Sequence, residues 1–322
     1  MTYARIVGTG SHLPEAVVTN TELSKRVETS DEWIQQRVGI QSRHICSPDE
    51  TLLFMATQAA QRALDMAQVT AEEIDLIIVA TSTADDIMPS TATSLQYAIG
   101  AKPCISFDIS AACTGFVCAL HIANQFFKTG VAKRALVLGG ERMSRITDWM
   151  DRSTCVLFGD GVGAAVLAAD DHTGILSSYV ASNGKDRDLL FVPNSLPVAP
   201  FESEVPPAHL RMDGRAVFRQ AVNMLGDLVA RVLREHDLPK SSIDWLIPHQ
   251  ANRRIIEATA KKMALPWEKV VLTLPEQGNT SAASVALALD IAVRDGRVQK
   301  DQLVLLEAFG AGFVWGAVLL KF

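Results

Sequence analysis

The second half of the chain repeats the first, and this repeat constrains the fold more than any other feature of the sequence. Residues 72–83 (EEIDLIIVATST) resemble residues 241–252 (SSIDWLIPHQAN), since both contain an Ile-Asp pair followed by an apolar strand. The segments RALVLGGE and GDGVGAAVLAA likewise resemble LVLLEAFGAG and FVWGAVLLKF at the C-terminus. Self-similarity at about half the chain length indicates duplication of a strand-and-helix unit. We therefore expect an active site between the halves, built from strand ends of both.

Length and composition agree with two fused halves. A chain of 322 residues exceeds the usual size of one hydrophobic core. The two halves are expected at residues 1–172 and 173–322. Hydrophobic residues make up 48% of the chain and charged residues 20%, which is typical of a soluble globular protein that buries a large core.

Charge and cysteine usage exclude several classes of protein. A net charge of −6 argues against general nucleic-acid binding. The five cysteines are an odd number without CxxC spacing, so neither a disulfide framework nor a metal site is predicted, and a reducing cytoplasm fits best. The N-terminus lacks a signal-peptide pattern, and no apolar run reaches membrane-spanning length. We expect a cytoplasmic protein that does not enter a membrane.

The stretch from Cys104 to Gly130 predicts a strand, a tight turn and a helix, with Cys113 where the turn becomes the helix. Unpaired N–H groups and the positive end of the helix dipole would face its sulfur. Both favour the thiolate, which is the nucleophilic form. The alternative is that Cys113 is a small buried hydrophobe.

Glycine and proline mark two further segments. The glycines of GDGVG, from residue 159, precede a strand rather than a helix, so a dinucleotide-binding loop is not predicted and a tight turn is expected. Residues 185–210 are rich in proline and polar residues and predict an irregular surface segment. The sequence after it, from residue 213, predicts a long amphipathic helix.

Two polar residues lie at predicted loop positions in the second half. His249 follows the apolar strand DWLIP, and Asn279 precedes an Ala-rich helix. A histidine at a strand end is a plausible acid, base or hydrogen-bond donor. The alternatives are a hydrogen-bonded structural histidine and an N-capping asparagine.

Six motifs give the chain a resemblance that covers essentially its whole length. They are, in order, TSDEWIxxRxGI, AACTGF, FGDGVGAAVL, HQANRRI, GNTSAAS and FGAGFVWGAVLL. In this order and spacing they resemble the β-ketoacyl-[acyl-carrier-protein] synthase III family. The resemblance implies an α/β protein with the thiolase-like fold, in which two duplicated αβαβα halves form a five-layered structure. It also implies a homodimer.

The resemblance implies a catalytic set of Cys113, His249 and Asn279. Cys113 would take an acyl group from acyl-CoA, and the backbone N–H groups of Cys113 and Ala311 would stabilise the oxyanion. His249 and Asn279 would donate hydrogen bonds to the enolate formed when malonyl-ACP loses CO2. The acyl group would then be joined to it by a decarboxylative Claisen condensation, giving 3-oxoacyl-ACP. No cofactor and no metal are implied.

The resemblance also implies a binding path for CoA. Trp33 and Arg152 would sandwich the adenine, Arg37 would lie near the phosphates, and Asn252 and Gly214 would line the pantetheine arm. Indole and guanidinium planes both stack on nucleobases. From the residues alone, Trp33 is equally open to interpretation as a core residue.

The resemblance further implies that the acyl carrier protein (ACP), an acidic protein, docks on a local cationic face. We expect Arg254 to be the main contact, with the neighbouring cations Arg253, Arg219, Lys261 and Lys262. Electrostatic complementarity favours such docking on an otherwise acidic chain. A solvated helix face is the alternative.

Two positions depart from the family pattern. Met88 stands where a phenylalanine that closes the acyl pocket from the partner subunit is common, and methionine adapts its shape more readily. Ala311 replaces a glycine in the FGGG pattern, and its N–H survives for the oxyanion hole if its φ stays negative.

Three alternatives remain open at this stage. A specialised-metabolite synthase of the same fold would use another acyl acceptor, such as malonyl-CoA or an aromatic amine. A degradative thiolase would need a second catalytic cysteine near the C-terminus, whereas the last cysteine is Cys155. A non-catalytic acyl-CoA-binding protein would not need an intact set of cysteine, histidine and asparagine.

Overall fold

Two β-sheets form the framework of the molecule. The computed structural model describes residues 2–194 and 208–322. In chain order, the strands of these residues are β1 (Tyr3–His12), β2 (Val17–Thr19), β3 (Ser42–His44), β4 (Leu76–Ala80), β5 (Ile105–Ile109), β6 (Arg134–Arg142), β7 (Asp160–Asp170), β8 (Ile175–Ser182), β9 (Leu190–Phe191), β10 (Arg211–Met212), β11 (Trp245–Pro248), β12 (Leu303–Gly310) and β13 (Val314–Lys321).

Helices cover the sheets and separate them. Over the same residues they are α1 (Asn20–Leu23), α2 (Asp31–Val38), α3 (Leu52–Ala67), α4 (Thr91–Ala98), α5 (Gly115–Lys128), α6 (Gly214–Arg234), α7 (Arg253–Met263), α8 (Leu274–Gln277) and α9 (Ser284–Arg294). Single 3-10 turns, Ala112–Thr114 and Ser281–Ala283, lead into α5 and α9. We call them the first turn and the second turn.

Side-chain caps begin several of these helices. Thr19 caps α1 in a capping box with Glu22. The hydroxyls of Ser30 and Thr51 accept hydrogen bonds from backbone N–H groups at the N-terminal ends of α2 and α3. Helix α1 is a single turn that ends at Leu23. None of the described helices combines the length and the apolar character that crossing a bilayer requires.

The two sheets repeat one topology, as the sequence repeat predicts. The first has the order β1-β7-β6-β4-β5, and the second has the order β8-β13-β12-β11 when it is read in the same direction. In both, the first two pairings are antiparallel and the next is parallel. Where β5 pairs with β4 in the first sheet, a single parallel bridge joins Val270 to Leu246 in the second.

The layers follow the order helix, sheet, helix, sheet, helix. Helices α3 and α4 pack on the outer face of the first sheet, and α6 and α7 pack on the outer face of the second. Helices α5 and α9 lie between the sheets in one apolar cluster, which includes Phe116, Val117 and Leu289. This arrangement is the predicted thiolase-like fold of two αβαβα halves.

The connection between the halves is short. The proposed division at residue 172 falls between β7, which ends at Asp170, and β8, which begins at Ile175. The segment predicted to be irregular, residues 185–210, is described only in part. It contains a 3-10 segment, Gly184–Leu189, and strand β9, whereas residues 195–207 lie outside the described residues.

The glycines of GDGVG do not form the expected tight turn. Strand β7 begins at Asp160, so Gly161 and Gly163 are strand residues, and neither has a positive φ. A Cβ atom at Gly163 would lie 2.5 Å from the Cβ of Ala286 on α9. These glycines therefore allow β7 to pack closely against the central helix layer.

Candidate active site

Cys113 lies in the first turn, at the N-terminal end of α5. The residue before it, Ala112, has a φ of +45°, a conformation that favours glycine and costs on the order of 1 kcal/mol for other residues. Gly115 allows the start of α5 to pack closely against the end of β4, since a Cβ at Gly115 would lie 2.8 Å from the Cβ of Ala80. Cys113 is 8% exposed and faces a large cleft.

Burial sets the ionisation of this thiol. Desolvation raises the pKa of Cys113 to about 11, although a hydrogen bond with the Ser281 side chain acts in the opposite direction. The nearby carboxylate of Glu141 raises the pKa further. The thiolate expected from the helix position alone is therefore not the resting form, and the thiol must lose its proton during the reaction.

The backbone of the C-terminal strand pair closes one side of the cysteine. A Cβ at Gly310 would lie 2.8 Å from the backbone N of Cys113, so only glycine fits there. Ala311 follows it on the cleft wall and is not among the residues with positive φ, so its N–H keeps an ordinary backbone geometry. The hydroxyl of Thr114 donates to the Val314 carbonyl at 2.9 Å and ties the first turn to β13.

His249 follows β11 and is held by hydrogen bonds at its ring and its backbone. Its N–H donates to the carbonyl of Glu307 at 2.8 Å, and its Nδ1 lies 2.6 Å from the Ser284 hydroxyl. That hydroxyl also accepts from the backbone N–H of Gln250 at 3.4 Å, and it can donate its own proton to Nδ1. In that tautomer, Nε2 carries the imidazole hydrogen. Burial lowers the pKa of His249 to about 3, so the ring is neutral.

Asn279 is fixed by its backbone and its amide oxygen. Its N–H donates to the Leu157 carbonyl at 2.8 Å, and its carbonyl accepts from Gly159 at 3.1 Å. Its side-chain Oδ1 accepts the backbone N–H of Ser281 at 2.8 Å. The Nδ2 group is therefore the part of the amide that remains for a ligand. Thr280, and not Asn279, occupies the N-cap position of the second turn, so the N-capping alternative does not describe Asn279.

The three side chains line one cleft of about 2150 Å³. Most other predicted site residues line the same cleft: Trp33, Arg37, Gly214, Asn252, Arg219, Arg254 and Ala311. The cleft lies where strand ends of both halves meet, as the repeat predicts. Among the residues that the structure describes, no group of His, Cys, Asp and Glu side chains has the arrangement of a metal site.

Trp33 lines the cleft, whereas Arg152 does not line it and instead contacts the Trp33 ring. The guanidinium carbon of Arg152 is 5.3 Å from the Trp33 ring centroid, and that of Arg37 is 5.8 Å away. The Arg152 side chain also donates to the Glu28 carbonyl at 2.9 Å. A base stacked between the indole ring and the guanidinium group needs about 7 Å between those two planes, because each stacking contact takes about 3.5 Å. An adenine can therefore enter only if Arg152 moves away from Trp33.

The five predicted carrier-protein contacts fall into two groups. Arg253 bonds Glu257 at 2.8 Å, and the Lys262 ammonium donates to the Val222 carbonyl at 2.8 Å. The cations Arg254, Arg219 and Lys261 are exposed, and within residues 2–194 and 208–322 no carboxylate forms an ion pair with them. The second group is therefore the part of the cationic face that is available to a partner.

Met88 does not line the cleft of its own chain. It is 80% exposed, beside Ile87, on the loop that leads into α4. A direct role in its own chain's pocket therefore has no support, whereas the implied contact with a partner subunit's pocket needs this exposure.

Sequence reasoning missed three residues next to the predicted set. Ser284 orients His249, Ser281 contacts both Cys113 and Asn279, and Glu141 lies buried behind Ser281. One signal was available: Glu141 is the only charged residue within the apolar run ALVLGGE of β6. A buried carboxylate at a strand end commonly marks a functional site.

The duplicated five-layered fold, with its cleft at the strand ends, defines a thiolase-fold enzyme. The family model for 3-oxoacyl-[acyl-carrier-protein (ACP)] synthase III matches residues 107–184, and the model for its C-terminal part matches residues 233–322. The chain belongs to this family of acyltransferases.

Individual relatives agree over the full length. The chain is 54% identical to β-ketoacyl-[acyl-carrier-protein] synthase III of Thioalkalivibrio sulfidiphilus over 322 residues, which is 100% of both chains. It is 53% identical to the Methylococcus capsulatus protein of the same name, over 99% of both. The crystal structure of 3-oxoacyl-[acyl-carrier-protein] synthase III from Aquifex aeolicus has a TM-score of 0.94 at 45% identity, covering 99% of this chain and 100% of that one.

Proposed function

We propose that this protein transfers an acyl group from acyl-CoA to Cys113 and condenses it with malonyl-ACP, the step that initiates type II fatty acid synthesis. The products are 3-oxoacyl-ACP, CoA and CO2. The observation that carries the proposal is the convergence of Cys113, His249 and Asn279 on one cleft, in a chain that belongs to the synthase III family.

In the first half-reaction, the sulfur of Cys113 attacks the thioester carbonyl of acyl-CoA. The carbonyl oxygen gains negative charge as the tetrahedral intermediate forms. The N–H groups of Cys113 and Ala311 stabilise this oxyanion, and the proximity of Gly310 to Cys113 supports the pairing. The intermediate collapses, CoA leaves as a thiolate, and the acyl group stays on Cys113.

In the second half-reaction, malonyl-ACP loses CO2 and its thioester oxygen becomes an enolate oxygen. The Nε2–H of neutral His249 and the Nδ2–H of Asn279 donate hydrogen bonds to that oxygen. The neutral ring suits this role, because its proton position is fixed by Ser284 and no charge has to be buried. The carbanion then attacks the acyl-Cys113 carbonyl and releases the Cys113 thiolate.

The long cleft accommodates CoA between the surface and Cys113. Trp33 and Arg152 hold the adenine after Arg152 has moved off the indole ring, and Arg37 contacts the phosphates. Asn252 and Gly214 line the path of the pantetheine arm. Guanidinium stacking on an aromatic plane is exchangeable for stacking on a base, so the contact between Arg152 and Trp33 is easily replaced.

ACP docks at the cleft mouth through Arg254, Arg219 and Lys261, the exposed cations without an internal ion pair among the described residues. Arg253 and Lys262 contribute less, because each has a partner within the chain. Rim charges of this kind act chiefly on the rate of association and its salt dependence.

A homodimer fits the open edge of the first sheet. Strand β5 lies at this edge, and exposed apolar side chains surround it, among them Tyr97 on α4 and Ile105 on β5 itself. An exposed strand edge with apolar neighbours is a template for pairing with another strand. In such a dimer Met88 reaches the partner's acyl pocket, where its flexible side chain sets primer length and branching.

The proposed reaction needs no cofactor, because loss of CO2 itself generates the carbanion. We place the protein in the cytoplasm, where its five free cysteines stay reduced.

The test is a panel of acyl-CoAs of different length and branching, incubated with the protein and malonyl-ACP and followed by mass spectrometry. We expect 3-oxoacyl-ACP from the wild type and none from Cys113→Ala. Acylation of Cys113 without any ACP product would overturn the acceptor and favour a specialised-metabolite synthase of the same fold. Absence of acylation with every primer would overturn the proposal as a whole.

A further inference from the structure

Polar side chains lead from Cys113 on the cleft wall to a carboxylate in the interior. Ser281 also lines the cleft, and interaction with its side chain lowers the pKa of the Cys113 thiol. The Ser281 hydroxyl donates to Oε1 of Glu141 at 3.4 Å. Glu141 is fully buried at the end of β6, and Ser281 is 3% exposed. One nearly buried hydroxyl group thus lies between the sulfur and the carboxylate.

The groups around Glu141 are arranged as donors to an ionised carboxylate. The backbone N–H of Ser82 donates to both oxygens at 3.1 Å, and the Thr83 hydroxyl donates at 2.5 Å. The Thr83 oxygen in turn accepts the N–H of Arg142 at 2.8 Å, and the Ser82 N–H can act only as a donor. Glu141 therefore has the character of a proton acceptor.

No cation in the described residues neutralises Glu141. The nearest charged neighbour on β6, Arg142, pairs with Asp85 at 3.1 Å. On β7, Asp160 is occupied by the N–H and the hydroxyl of Ser144. Burial accordingly raises the pKa of Glu141 to about 7, between the buried thiol and an ordinary carboxyl group.

We propose that Glu141 is a positioning residue that accepts the Cys113 proton through the Ser281 hydroxyl during acylation. The inference rests on the proposed function, in which Cys113 attacks acyl-CoA. As the carbon–sulfur bond forms, the S–H bond breaks and its proton passes to Ser281 Oγ. The original hydroxyl proton of Ser281 passes to Oε1 of Glu141. When condensation later releases the Cys113 thiolate, the same path returns the proton, and the departing CoA thiolate takes its proton from water.

Charge conservation favours this path over transfer to His249. Moving the proton to His249 would create two opposite charges from neutral groups in a desolvated site. Moving it to Glu141 only exchanges which group carries one existing negative charge. General-base catalysis favours an acceptor with a pKa near the operating pH. Glu141, with a pKa of about 7, meets this requirement, whereas the thiol of Cys113, with a pKa of about 11, does not ionise by itself at that pH.

Glu141→Gln separates this role from a purely electrostatic one. Removing the negative charge makes the thiolate easier to form, so alkylation of Cys113 by iodoacetamide should be as fast as in the wild type or faster. Acylation by a short acyl-CoA, measured by rapid quench and mass spectrometry, should instead be slower by about a hundredfold, because the proton acceptor is gone. Opposite responses in the two reactions are the expected signature.

The pH profile of acylation gives a second readout. In the wild type, the rate should rise as Glu141 ionises and then level off. In Glu141→Gln it should keep rising with pH toward the ionisation of the thiol. The double variant Glu141→Gln/Ser281→Ala should be acylated no more slowly than Glu141→Gln alone, because both residues act in one relay. The control is Asp290→Asn, which alters a different buried carboxylate, on helix α9.

The outcomes distinguish this inference from the proposed function. Acylation of Glu141→Gln at the wild-type rate or faster would overturn the relay, as would equal slowing of acylation and alkylation, which indicates disturbed packing. If acyl-CoA failed to acylate even the wild type while iodoacetamide still modified Cys113, the proposed substrate would be wrong. If Glu141→Gln did not fold, Ser281→Ala would serve, since it leaves the carboxylate in place. Acylation of Ser281→Ala at the wild-type rate would overturn the relay.

Discussion

The first turn and the second turn have the same backbone shape and carry different chemistry. Each is a single 3-10 turn before a central helix, and each holds one non-glycine residue with positive φ, Ala112 at +45° and Ser281 at +50°. The residue that follows is Cys113 in the first turn and Ala282 in the second. Duplication therefore supplied two equivalent backbone sites, of which only one holds a thiol.

The strands before these turns differ in the same way. Six residues after the Ile of the Ile-Asp pair, the first half has Ala80 and the second has His249. Two residues before the positive-φ position, the first half has Ser110 and the second has Asn279. In the proposed reaction, one half thus supplies the nucleophile and the other supplies the hydrogen-bond donors.

Each turn is supported by the opposite half. The first turn rests against Gly310 at the end of β12, and the second rests against the end of β6, where Glu141 lies. The shared backbone provides position, whereas in the proposed reaction a few side chains decide which half-reaction each half of the chain serves. The following predictions test this division of labour.

The largest effect is expected from Cys113→Ala, which should abolish acylation by acyl-CoA. The matched control is Cys118→Ala, since Cys118 is a buried thiol on the adjoining helix α5, with a pKa raised to about 11 by burial. Acylation is measured as added mass on the peptide that contains residue 113. The variant Cys113→Ala/Ala282→Cys should not recover, because Ala282 is buried and does not line the cleft. Recovery would contradict the assignment of the nucleophile to one turn.

The next largest effect concerns the second half. His249→Ala and Asn279→Ala should each lower the rate of malonyl-ACP decarboxylation on the order of a hundredfold, because one donor to the enolate is lost. Acylation of Cys113 should persist in both. His121→Ala is the control, since His121 also bonds a serine hydroxyl but lies outside the cleft. Normal condensation by the His249 and Asn279 variants would refute their assigned role.

A smaller effect is expected from Ser284→Ala. His249 would keep its backbone contact with Glu307 but lose the bond that sets its tautomer. Loss of one such hydrogen bond corresponds to about a tenfold fall in the decarboxylation rate. Acylation should change little, and a comparable fall in both half-reactions would argue for general damage to the fold instead.

The smallest effect is expected from pH, which should not change the protonation of His249 between pH 5 and 8. An ordinary histidine, with a pKa near 6.5, would be about 97% protonated at pH 5 and the neutral fraction would fall about thirtyfold. Burial keeps the pKa of His249 near 3, so it should stay neutral. Decarboxylation of malonyl-ACP by Cys113→Ala, measured from pH 5 to 8, should be nearly flat. A steep fall in the decarboxylation rate as the pH drops through 6.5 would contradict the burial of the His249 ring.

Much of the fold was predictable from the sequence, because strand and helix patterns are local. The Ile-Asp strands and the apolar C-terminal pair revealed the duplication, and the sheets repeat in the same order. The glycines at residues 161 and 163 were misinterpreted, because the helix α9 that packs on them lies more than 120 residues away in the chain. Such packing leaves no local pattern.

The candidate site was predictable in its residue types but not in its electrostatics. Motifs predicted Cys113, His249 and Asn279, which lie at turns and strand ends that are local features, and the structure places the three on one cleft. The raised pKa of Cys113 was not foreseen, since its burial requires both halves to close around it. Glu141 and Ser281 are likewise far apart in the chain. They come into contact only because the second turn packs against β6 of the other half.

The most direct test of the central claim is a chase experiment on the acyl-enzyme. Wild type and Asn279→Ala are loaded with a short acyl group from acyl-CoA, malonyl-ACP is added, and the mass of the Cys113 peptide is followed. We predict that the adduct disappears from the wild type as 3-oxoacyl-ACP appears, and that it persists in Asn279→Ala. Persistence in the wild type, or equal loss from both proteins with product formed, would contradict the division of the two half-reactions between the two halves of the chain.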